Sequence, residues 1–259
     1  MPTMDTTSTL DKPAFEALYG TDADASRLRL QSLLYNGLIY LHFGFALTGW
    51  LPLWTMLISA PVLVVRWMLA THELFHLRSE TEVDFATRLL PLMLTPFSLG
   101  YREFLDIHRR HHRFTATPED PEFFQIRGNK LAGFLNASTA PEQAYFRWLA
   151  KKGLDFPLLR DTAVRLTLFL GMIWLSGWAF LWYWLPVRLA YGASYFSFFY
   201  CLHRKGAEYG VYPLPLPAWA EKTFTALFGK EALLATCHHD LHHAHPRVNA
   251  FQLPSIRNS

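Results

Sequence analysis

Apolar residues are concentrated in four blocks along the chain. Leu33–Leu51 has 19 residues without Asp, Glu, Lys or Arg, and Leu53–Ala70 has 18 residues with one charged side chain, Arg66. Val164–Leu185 follows a polar middle region, and Val187–Leu202 is a shorter fourth block. A helix of this length crosses a hydrocarbon core of roughly 30 Å, because it rises about 1.5 Å per residue. The pattern therefore predicts four membrane-spanning helices.

Short turn sequences join these blocks in pairs. Gly49-Trp50-Leu51-Pro52 separates the first two blocks, and Leu185-Pro186 separates the last two. We therefore predict an all-α integral membrane fold with two transmembrane hairpins, at about 33–70 and 164–202. The polar parts, 71–163 and 203–259, would form a cytosolic helical cap. The alternative is a large soluble helical core.

Two further apolar stretches do not fit the pattern of a spanning helix. Leu89–Leu99 has 11 residues and contains Pro91 and Pro96, so we expect a re-entrant or interfacial segment. Leu214–Leu234 places large apolar side chains such as Phe224 on one helical face. This second stretch predicts an amphipathic helix on the membrane surface or, equally, a helix that covers the cytosolic part.

Composition and charge indicate the class of protein and the orientation of the chain in the membrane. Apolar types make up 51% of the chain and charged types 17%, against about 25% in ordinary soluble domains, which excludes a disordered chain. A net charge of +3 is too small for a dedicated nucleic-acid binder, and two cysteines cannot form a disulfide framework. Of the 24 Lys and Arg residues, 21 lie before the first block, between Thr71 and Arg160, or after Leu202. The positive-inside rule then places both termini and the middle region in the cytoplasm.

The chain is accordingly divided into two parts. Residues 1–32 form a polar N-terminal segment without the basic start and apolar stretch of a signal peptide, and we expect this segment to be cytosolic. Residues 33–259 form the membrane domain.

Histidines are clustered rather than scattered. The first cluster is His72 and His76, the second is His108, His111 and His112, and the third is His239, His242 and His243. On a helix, positions i, i+3 and i+4 are neighbours about 5–6 Å apart. Neutral imidazole nitrogen is a ligand for Zn, Cu, Fe or Ni. Each cluster therefore predicts two or three metal ligands on one helix face.

The positions of the clusters relative to the apolar blocks allow one shared site. The first and second clusters both follow two predicted crossings, and the third follows four, so all eight histidines reach the same side of the membrane. Eight imidazoles are too many for one ion, and two ions fit.

These clusters resemble the histidine boxes of the membrane-bound fatty acid desaturase and hydroxylase superfamily. The HxxxH, HxxHH and HxxHH patterns at 72–76, 108–112 and 239–243 are similar to its three boxes, and the resemblance extends from Leu33 to Pro254. It implies a cytosol-facing di-iron centre that uses O₂ to attack an unactivated C–H bond of a lipid. It also implies a ninth ligand between the second and third boxes, for which His203 is the candidate. Since no haem, flavin or nicotinamide motif is evident, electrons would come from an external ferredoxin, rubredoxin or cytochrome.

Other polar residues near the clusters are candidates for orienting the ligand rings by hydrogen bonds. They are Glu73, Asp106, His238, Asp240 and His245. Arg109, Arg110 and Arg113 either dock an acidic electron donor or a lipid head group, or simply follow the positive-inside rule. His42, inside the first block, is expected to be a packing residue.

Alternatives from other classes explain less of the sequence. His72-Glu73-Leu-Phe-His76 also spells the HExxH pattern of zinc proteases, but an intramembrane protease would leave six clustered histidines unused. A third class is a non-catalytic metal carrier or a haem-binding electron relay. A carrier would need polar residues along the membrane path, and the apolar blocks have few. Within the oxidase class, a fatty acyl desaturase is our first interpretation, and a carotenoid ketolase or hydroxylase and an alkane hydroxylase stay open.

Overall fold

The computed structural model describes residues 15–89 and 95–257, and in these ranges the chain is mainly helical. The long helices are α1 (Asp22–Leu47), α2 (Met56–Leu77), α4 (Tyr101–Phe114), α6 (Ala140–Lys152), α7 (Phe156–Ser176) and α8 (Ala179–Tyr195). The shorter helices are α3 (Phe85–Arg88), α5 (Lys130–Ser138), α9 (Cys201–His203), α10 (Ala218–Phe228), α11 (Lys230–Cys237), α12 (His239–Ala244) and α13 (Leu253–Arg257). Two antiparallel strands, β1 (Arg204–Lys205) and β2 (Glu208–Tyr209), form a small ribbon.

Helices α1 and α2 form the first hairpin. Thr21 caps α1: its side chain accepts a hydrogen bond from the backbone N–H of Asp24, whose carboxylate accepts one from the N–H of Thr21. The chain then turns at Gly49, which has a φ of +79°, as the sequence predicts. Helix α2 continues to Leu77, so its last turns carry the first histidine cluster.

Helix α1 begins well before the first apolar block. Its first turns fall within the polar segment predicted for residues 1–32, and Ala25 and Leu28 are buried. They pack in a cluster with Leu74 at the end of α2 and with Tyr101 and Leu105 of α4. These contacts join the start of α1 to both helices that carry the first and second histidine clusters.

Helices α7 and α8 form the second hairpin, with a turn at a different place from the predicted one. The prediction of a turn at Leu185-Pro186 is wrong. The chain turns at Gly177, which has a φ of +52°, and Pro186 lies inside α8. Glycine takes this backbone conformation without a steric cost. Helix α8 then passes through one π-helical turn, Phe196–Tyr200, into α9, which ends at His203. Such π turns are frequent at functional sites.

The core lies where α1, α2 and α8 meet. Phe43 of α1 stacks on Tyr183 of α8 at 4.0 Å between ring centroids. Helix α5 packs closely on α8 and its continuation, because Gly133 and Gly192 leave room at the contact. A Cβ at Gly133 would be 2.6 Å from the ring of Tyr200, and one at Gly192 would collide with the side chain of Ser138.

Large apolar side chains are exposed on the outer faces of both hairpins. Several of the most exposed are tryptophans near the two turns, Trp50, Trp54, Trp174, Trp178 and Trp182. An exposed apolar surface of this extent is unusual for a soluble monomer, and tryptophans are enriched at membrane interfaces. In the described ranges, one helical stretch, Leu53–Leu77, is long and apolar enough to cross a membrane by length and composition.

The three arginines within the apolar blocks all have partners. Arg66 donates to the carbonyl of Leu227 at 2.6 Å, and Arg165, fully buried, donates to that of Ser98 at 2.7 Å. Arg188 forms an ion pair with Glu142 at 3.0 Å. Arg188 lies inside α8 and not at the turn, which is at Gly177.

The predicted interfacial segments are only partly described. Residues 90–94 of the Leu89–Leu99 stretch lie outside the described residues. The Leu214–Leu234 stretch is divided between α10 and α11 by Gly229, which has a φ of +95°. Helix α10 lies on the surface without a buried residue, whereas Ala232 and Leu233 of α11 are buried.

Candidate metal centre

The structure brings all nine predicted histidines together from four parts of the chain. We define site A as His72, His76, His108, His112 and His242, and site B as His111, His203, His239 and His243. Helices α2, α4 and α12 contribute to site A, and helices α4, α9 and α12 contribute to site B. The two sites adjoin, since the rings of His112 and His243 stack at 4.1 Å between centroids.

The second and third clusters each supply both sites. In the second cluster, His108 and His112 belong to site A, whereas His111 belongs to site B. In the third cluster, His239 and His243 belong to site B, whereas His242 belongs to site A. On a helix, residues i and i+4 point in directions only about 40° apart, so they reach the same ion. Residue i+3 points about 100° away from residue i+4 and therefore reaches the other ion. An HxxHH pattern on a helix between two ions therefore reaches both of them.

The ring nitrogens of site A converge on a small volume. Ligand atoms of His72, His76, His108 and His112 all lie within 4.8 Å of one another. The Nε2 atoms of His76 and His108 are 2.9 Å apart. The ring of His242 lies 4.6 Å from that of His76, which completes the site from the side of α12.

Site B has a similar arrangement. Ligand atoms of His111, His203 and His243 lie within 4.8 Å of one another. Nε2 of His203 is 3.2 Å from Nε2 of His243 and 3.2 Å from Nε2 of His239. His203 ends the π-bulged continuation of α8 and is 1% exposed, so it lies within the site and not at its edge.

Hydrogen bonds to the outer nitrogens orient four of the rings. His72 Nδ1 donates to Glu73 at 3.0 Å, and His111 Nδ1 donates to Asp120 at 2.8 Å. His203 Nδ1 donates to the carbonyl of Phe199 at 3.0 Å. These oxygens are acceptors, so Nδ1 carries the proton and the lone pair of Nε2 faces the site.

The fourth ring is oriented by a hydroxyl group. Thr115 Oγ1 is 3.1 Å from Nδ1 of His243 and 2.6 Å from the carbonyl oxygen of His111. The single hydroxyl proton goes to the carbonyl, so the oxygen accepts from Nδ1–H of His243. His243 therefore also presents an unprotonated Nε2.

A tight turn after α4 holds Asp120 against His111. Ala116 has a φ of +59°, which is uncommon for a residue with a side chain. Its N–H donates to Asp120 Oδ2 at 3.0 Å, and the N–H of Glu122 donates to Oδ1 at 2.8 Å. Two backbone hydrogen bonds thus hold the carboxylate in the orientation in which it accepts a hydrogen bond from the imidazole of His111.

Burial keeps most of these rings neutral. It lowers the pKa of His242 to about 4, and burial with repulsion from neighbouring histidines lowers the pKa of His239 and His243 well below the ordinary value. For His111 burial also acts to lower the pKa, but the hydrogen bond to Asp120 and the charges of Asp120 and Glu122 raise it overall. Neutral rings are the form that binds a metal.

The donor set fits two metal ions. In site B the unprotonated Nε2 atoms of His203 and His243 face each other at 3.2 Å, where two lone pairs repel unless a cation binds both. Ligands of one ion with bonds of about 2.0–2.1 Å are separated by about 3 Å, which matches this spacing. In the described part of the chain, both ring nitrogens of His112 and His242 are buried without a hydrogen-bond partner. A buried polar atom in that state is costly, and a metal bond at one nitrogen of each ring removes that part of the cost.

The other residues predicted to orient the rings have different surroundings. Glu73 contacts a ring, as described above. Asp240 pairs with Arg257 at 2.5 Å, and His238 Nδ1 accepts from the same guanidinium at 3.1 Å. The ring of His245 lies 4.6 Å from that of Phe15. Asp106 borders a surface cavity near Arg110. Within residues 15–89 and 95–257, no hydrogen bond joins these four side chains to a ring of site A or site B.

Sequence reasoning missed Asp120, Glu122 and Thr115 as contacts of the site. Asp120 and Glu122 belong to the acidic run Glu119-Asp120-Pro121-Glu122, which closely follows the second cluster. That proximity was the available signal, but a run of acidic residues after a helix is usually solvated. In the structure, the turn at Ala116 brings the run back to His111. By contrast His42 is a packing residue as expected, with its ring nitrogens 2.5 Å from Thr55 Oγ1 and 2.7 Å from Ser59 Oγ.

Two cavities of opposite character border the sites. A narrow cavity of about 60 Å³ lies against His72 and His108 of site A and is lined mainly by apolar and aromatic side chains such as Phe75 and Phe104. A cavity of about 400 Å³ opens from the surface to Asp120 beside site B. Its charged lining residues are Asp106, Arg110, Glu119, Asp120, Arg127, Arg147, Lys151 and Lys152.

Comparison with known proteins identifies one relationship. The sequence matches the family model described as "Fatty acid desaturase" over residues 48–258, which cover most of the chain and all three histidine clusters. No curated protein and no solved structure matches the chain.

Proposed function

Because the chain belongs to the fatty acid desaturase family, we propose that it is an O₂-dependent membrane oxidoreductase with one iron ion in each of sites A and B. Its substrate is a lipid C–H bond, and desaturation of a fatty acyl chain is the reaction that we favour. The observation that carries the proposal is the division of nine buried or half-buried histidines into two adjoining groups. Ligand atoms of four histidines in site A and of three in site B lie within 4.8 Å of one another, and the rings of His242 and His239 adjoin these two sets. The HExxH protease alternative would use two of these nine.

The ligands under this proposal are the nine histidines of sites A and B. When bound, the two irons supply the redox chemistry of O₂ activation that no acid–base side chain provides. Glu73, Asp120 and Thr115 hold the rings of His72, His111 and His243 in orientation through Nδ1. Such outer hydrogen bonds fix the tautomer and raise the basicity of the ligand nitrogen.

The apolar cavity beside site A would hold the reacting chain. Phe75, Phe104 and Phe198 line it and exclude water next to His72 and His108. A short segment of an apolar chain would bind there, next to the two histidines, through burial of its surface.

We propose that the electron donor is an acidic protein that docks over the basic cavity beside site B. Arg110, Arg127, Arg147, Lys151 and Lys152 line this cavity. Asp120 at its floor is 5% exposed and bonds directly to His111. Positive charge of this kind steers an acidic partner to the surface and sets the register in which it binds. Of the arginines suggested by sequence, Arg110 belongs to this cavity.

We further propose that the chain spans the membrane four times, with the hairpins α1–α2 and α7–α8 at about 33–70 and 164–202. Residues 71–163, residues 203–259 and both termini would then lie in the cytoplasm. The exposed apolar faces of the hairpins and the tryptophans near their turns support this topology. A reporter fused at Ser259 should be active in the cytoplasm, and a readout from the opposite side would contradict the arrangement.

Metal and product analysis tests the proposed function. Purified protein should contain about two iron ions per chain after reconstitution, because the sites offer neutral imidazoles for two ions. Lipids of an expressing host should then contain a new double bond, detected by mass spectrometry. A hydroxylated or ketolated product would keep the oxidase class and replace desaturation, whereas one zinc ion per chain and no oxidised lipid would contradict the proposal.

A further inference from the structure

A third cavity lies on the outside of the helical core, between α2, α8 and α10. It is a groove of about 480 Å³. Its rim is formed by exposed residues such as Leu57, Leu189 and Ala193, and its base by the buried residues Met68 and Phe198. The groove therefore descends from the apolar outer face of the hairpins towards the interior.

The base of this groove is the wall of the apolar cavity beside site A. Met68, Leu69 and Phe198 line both cavities. The ring of Phe198 lies 5.2 Å from that of His72 in site A and 4.9 Å from that of His239 in site B, between centroids. Phe198 thus packs against ligands of both proposed ions and, with Met68 and Leu69, separates the groove from the cavity beside site A.

Small side chains on α8 and its continuation keep the groove open. Ala190, Ala193, Ser194 and Ser197 follow one another at helical spacing along the wall, and Phe224 and Phe228 of the α10 region face them across the groove. No Asp, Glu, Lys, Arg or His is among the described residues that line it. A charged head group would lose its hydration here without a partner, whereas a hydrocarbon chain would gain by burial.

We propose that this groove is a lateral entrance through which the hydrocarbon chain of a bilayer lipid passes from the membrane to site A, with Phe198 as the last barrier. The inference rests on the proposed function and narrows its substrate class. The substrate is a lipid already dissolved in the bilayer, whose uncharged chain enters first. It is not a water-soluble carrier ester that is delivered from the cytosol. The uncharged lining of the groove, and the wall that it shares with the cavity at His72 and His108, are what select a lipid chain as the occupant.

Photolabelling tests the entrance independently of catalysis. The full-length, iron-loaded protein is placed in dioleoylphosphatidylcholine nanodiscs that contain a phosphatidylcholine with a diazirine near the methyl end of one acyl chain. After illumination, mass spectrometry locates the labelled residues. We expect label on the groove, at or beside Leu189, Ala193 and Phe198.

Two variants obstruct the groove, and a third is a matched control. Leu189→Trp and Ala193→Trp add bulk to the rim. Leu185→Trp makes the same change one turn earlier on α8, at a leucine that is 49% exposed, as Leu189 is, but that does not line the groove. We expect the two groove variants to reduce both labelling at the base and turnover of host lipids by roughly ten-fold, because steric mismatch in an apolar pocket has effects of this order. The control should retain both, and equal iron content in all variants excludes a folding defect.

The possible results separate the entrance from the oxidase activity. Labelling that falls in the groove variants, in a protein that oxidises no lipid, would support the groove as a lipid site and contradict the proposed function. If Ala193→Trp leaves the turnover unchanged, the groove is not the entrance for substrate, and the proposed oxidase function still stands. This conclusion holds if the groove is unlabelled, and it also holds if the label shows a lipid that is bound there without being a substrate. Loss of both signals in Leu185→Trp as well would also overturn the inference.

Discussion

Sites A and B differ in how their histidines are supported. In site B, three of the four rings, those of His111, His203 and His243, donate Nδ1–H to an acceptor outside the site. Nδ1 of the fourth, His239, is buried without a hydrogen-bond partner among the described residues. In site A, His72 is the one ring with such a hydrogen bond among the described residues, to Glu73, whose carboxylate also lies 3.8 Å from Nδ1 of His242. Within the described residues, the rings of His112 and His242 have no hydrogen-bond partner at either nitrogen.

The cavities next to the two sites also differ. Site A borders a narrow apolar cavity, and site B is connected through Asp120 to a basic surface cavity. We infer that site B is preorganised by protein hydrogen bonds, whereas the geometry of site A depends more on the ion itself. Lipid would therefore approach from the side of site A and electrons from the side of site B.

The largest expected effect is the loss of one ligand from either site. His108→Ala in site A and His203→Ala in site B should each lower turnover by at least about 100-fold, since even outer-shell changes at metal sites cost 10–100-fold. Iron content should fall from about two to about one per chain if the sites bind separately. Elemental analysis and lipid profiling measure both quantities.

His42→Ala is the matched control for this pair. Its ring nitrogens contact Thr55 and Ser59 inside the first hairpin, so iron content and turnover should be retained. If His203→Ala kept two irons and normal product, His203 would not be a ligand. If His108→Ala alone kept normal product, site A would not be the site of the reaction.

A smaller effect should follow from Asp120→Asn, which keeps the shape of the side chain but removes its charge. The variant amide accepts more weakly from His111, so iron affinity at site B should fall about 10–100-fold. Competition with a chelator measures the loss, which should be confined to one of the two irons. Asp106→Asn makes the same change without a bond to a ring and should leave both irons in place. Equal retention by the two variants would refute the orienting role of Asp120.

Reversing a charge in the basic cavity tests whether the electron donor docks beside site B. Lys151→Glu should slow reduction by an acidic ferredoxin several-fold at low salt, because the electrostatic attraction that steers association is weakened. The difference from the unaltered protein should shrink as ionic strength rises. Lys222→Glu, an exposed lysine on α10 that does not line the cavity, is the control for net charge. Equal slowing by both variants would mean that the donor does not dock at the cavity.

Much of this arrangement was accessible from the sequence. The apolar blocks predicted the helices, because long uncharged runs have few alternatives to helical structure. Histidine spacing predicted eight of the nine rings that the structure brings together, because the periodicity of a helix fixes which residues share a face. The ninth, His203, was suggested by the family resemblance. The second turn was predicted wrongly because proline is tolerated inside a long apolar helix, so Pro186 was a poorer signal than Gly177.

The supporting contacts were not accessible in the same way. Asp120 contacts His111 across a turn in which Ala116 has a positive φ, and an alanine in the sequence does not indicate that conformation. Asp240 and His238 adjoin His239 in the sequence, yet they contact Arg257, which α13 brings to them. Neighbouring positions in sequence predict a ring contact only when the local turn directs the side chain inward.

The smallest expected effect concerns the hydroxyl group of Thr115. Thr115→Val keeps the branched shape and removes the acceptor for Nδ1–H of His243, which is a neutral hydrogen bond worth about 1 kcal/mol. We expect iron release from site B to a chelator to accelerate about five-fold, with release from site A unchanged. Thr117→Val is the control, since its hydroxyl donates to the carbonyl of Phe114 and does not contact a ring. If Thr115→Val altered neither site, the preorganisation of site B would rest on Asp120 and the Phe199 carbonyl alone. If it accelerated release from both sites equally, the two ions would share their support and the contrast between the sites would be lost.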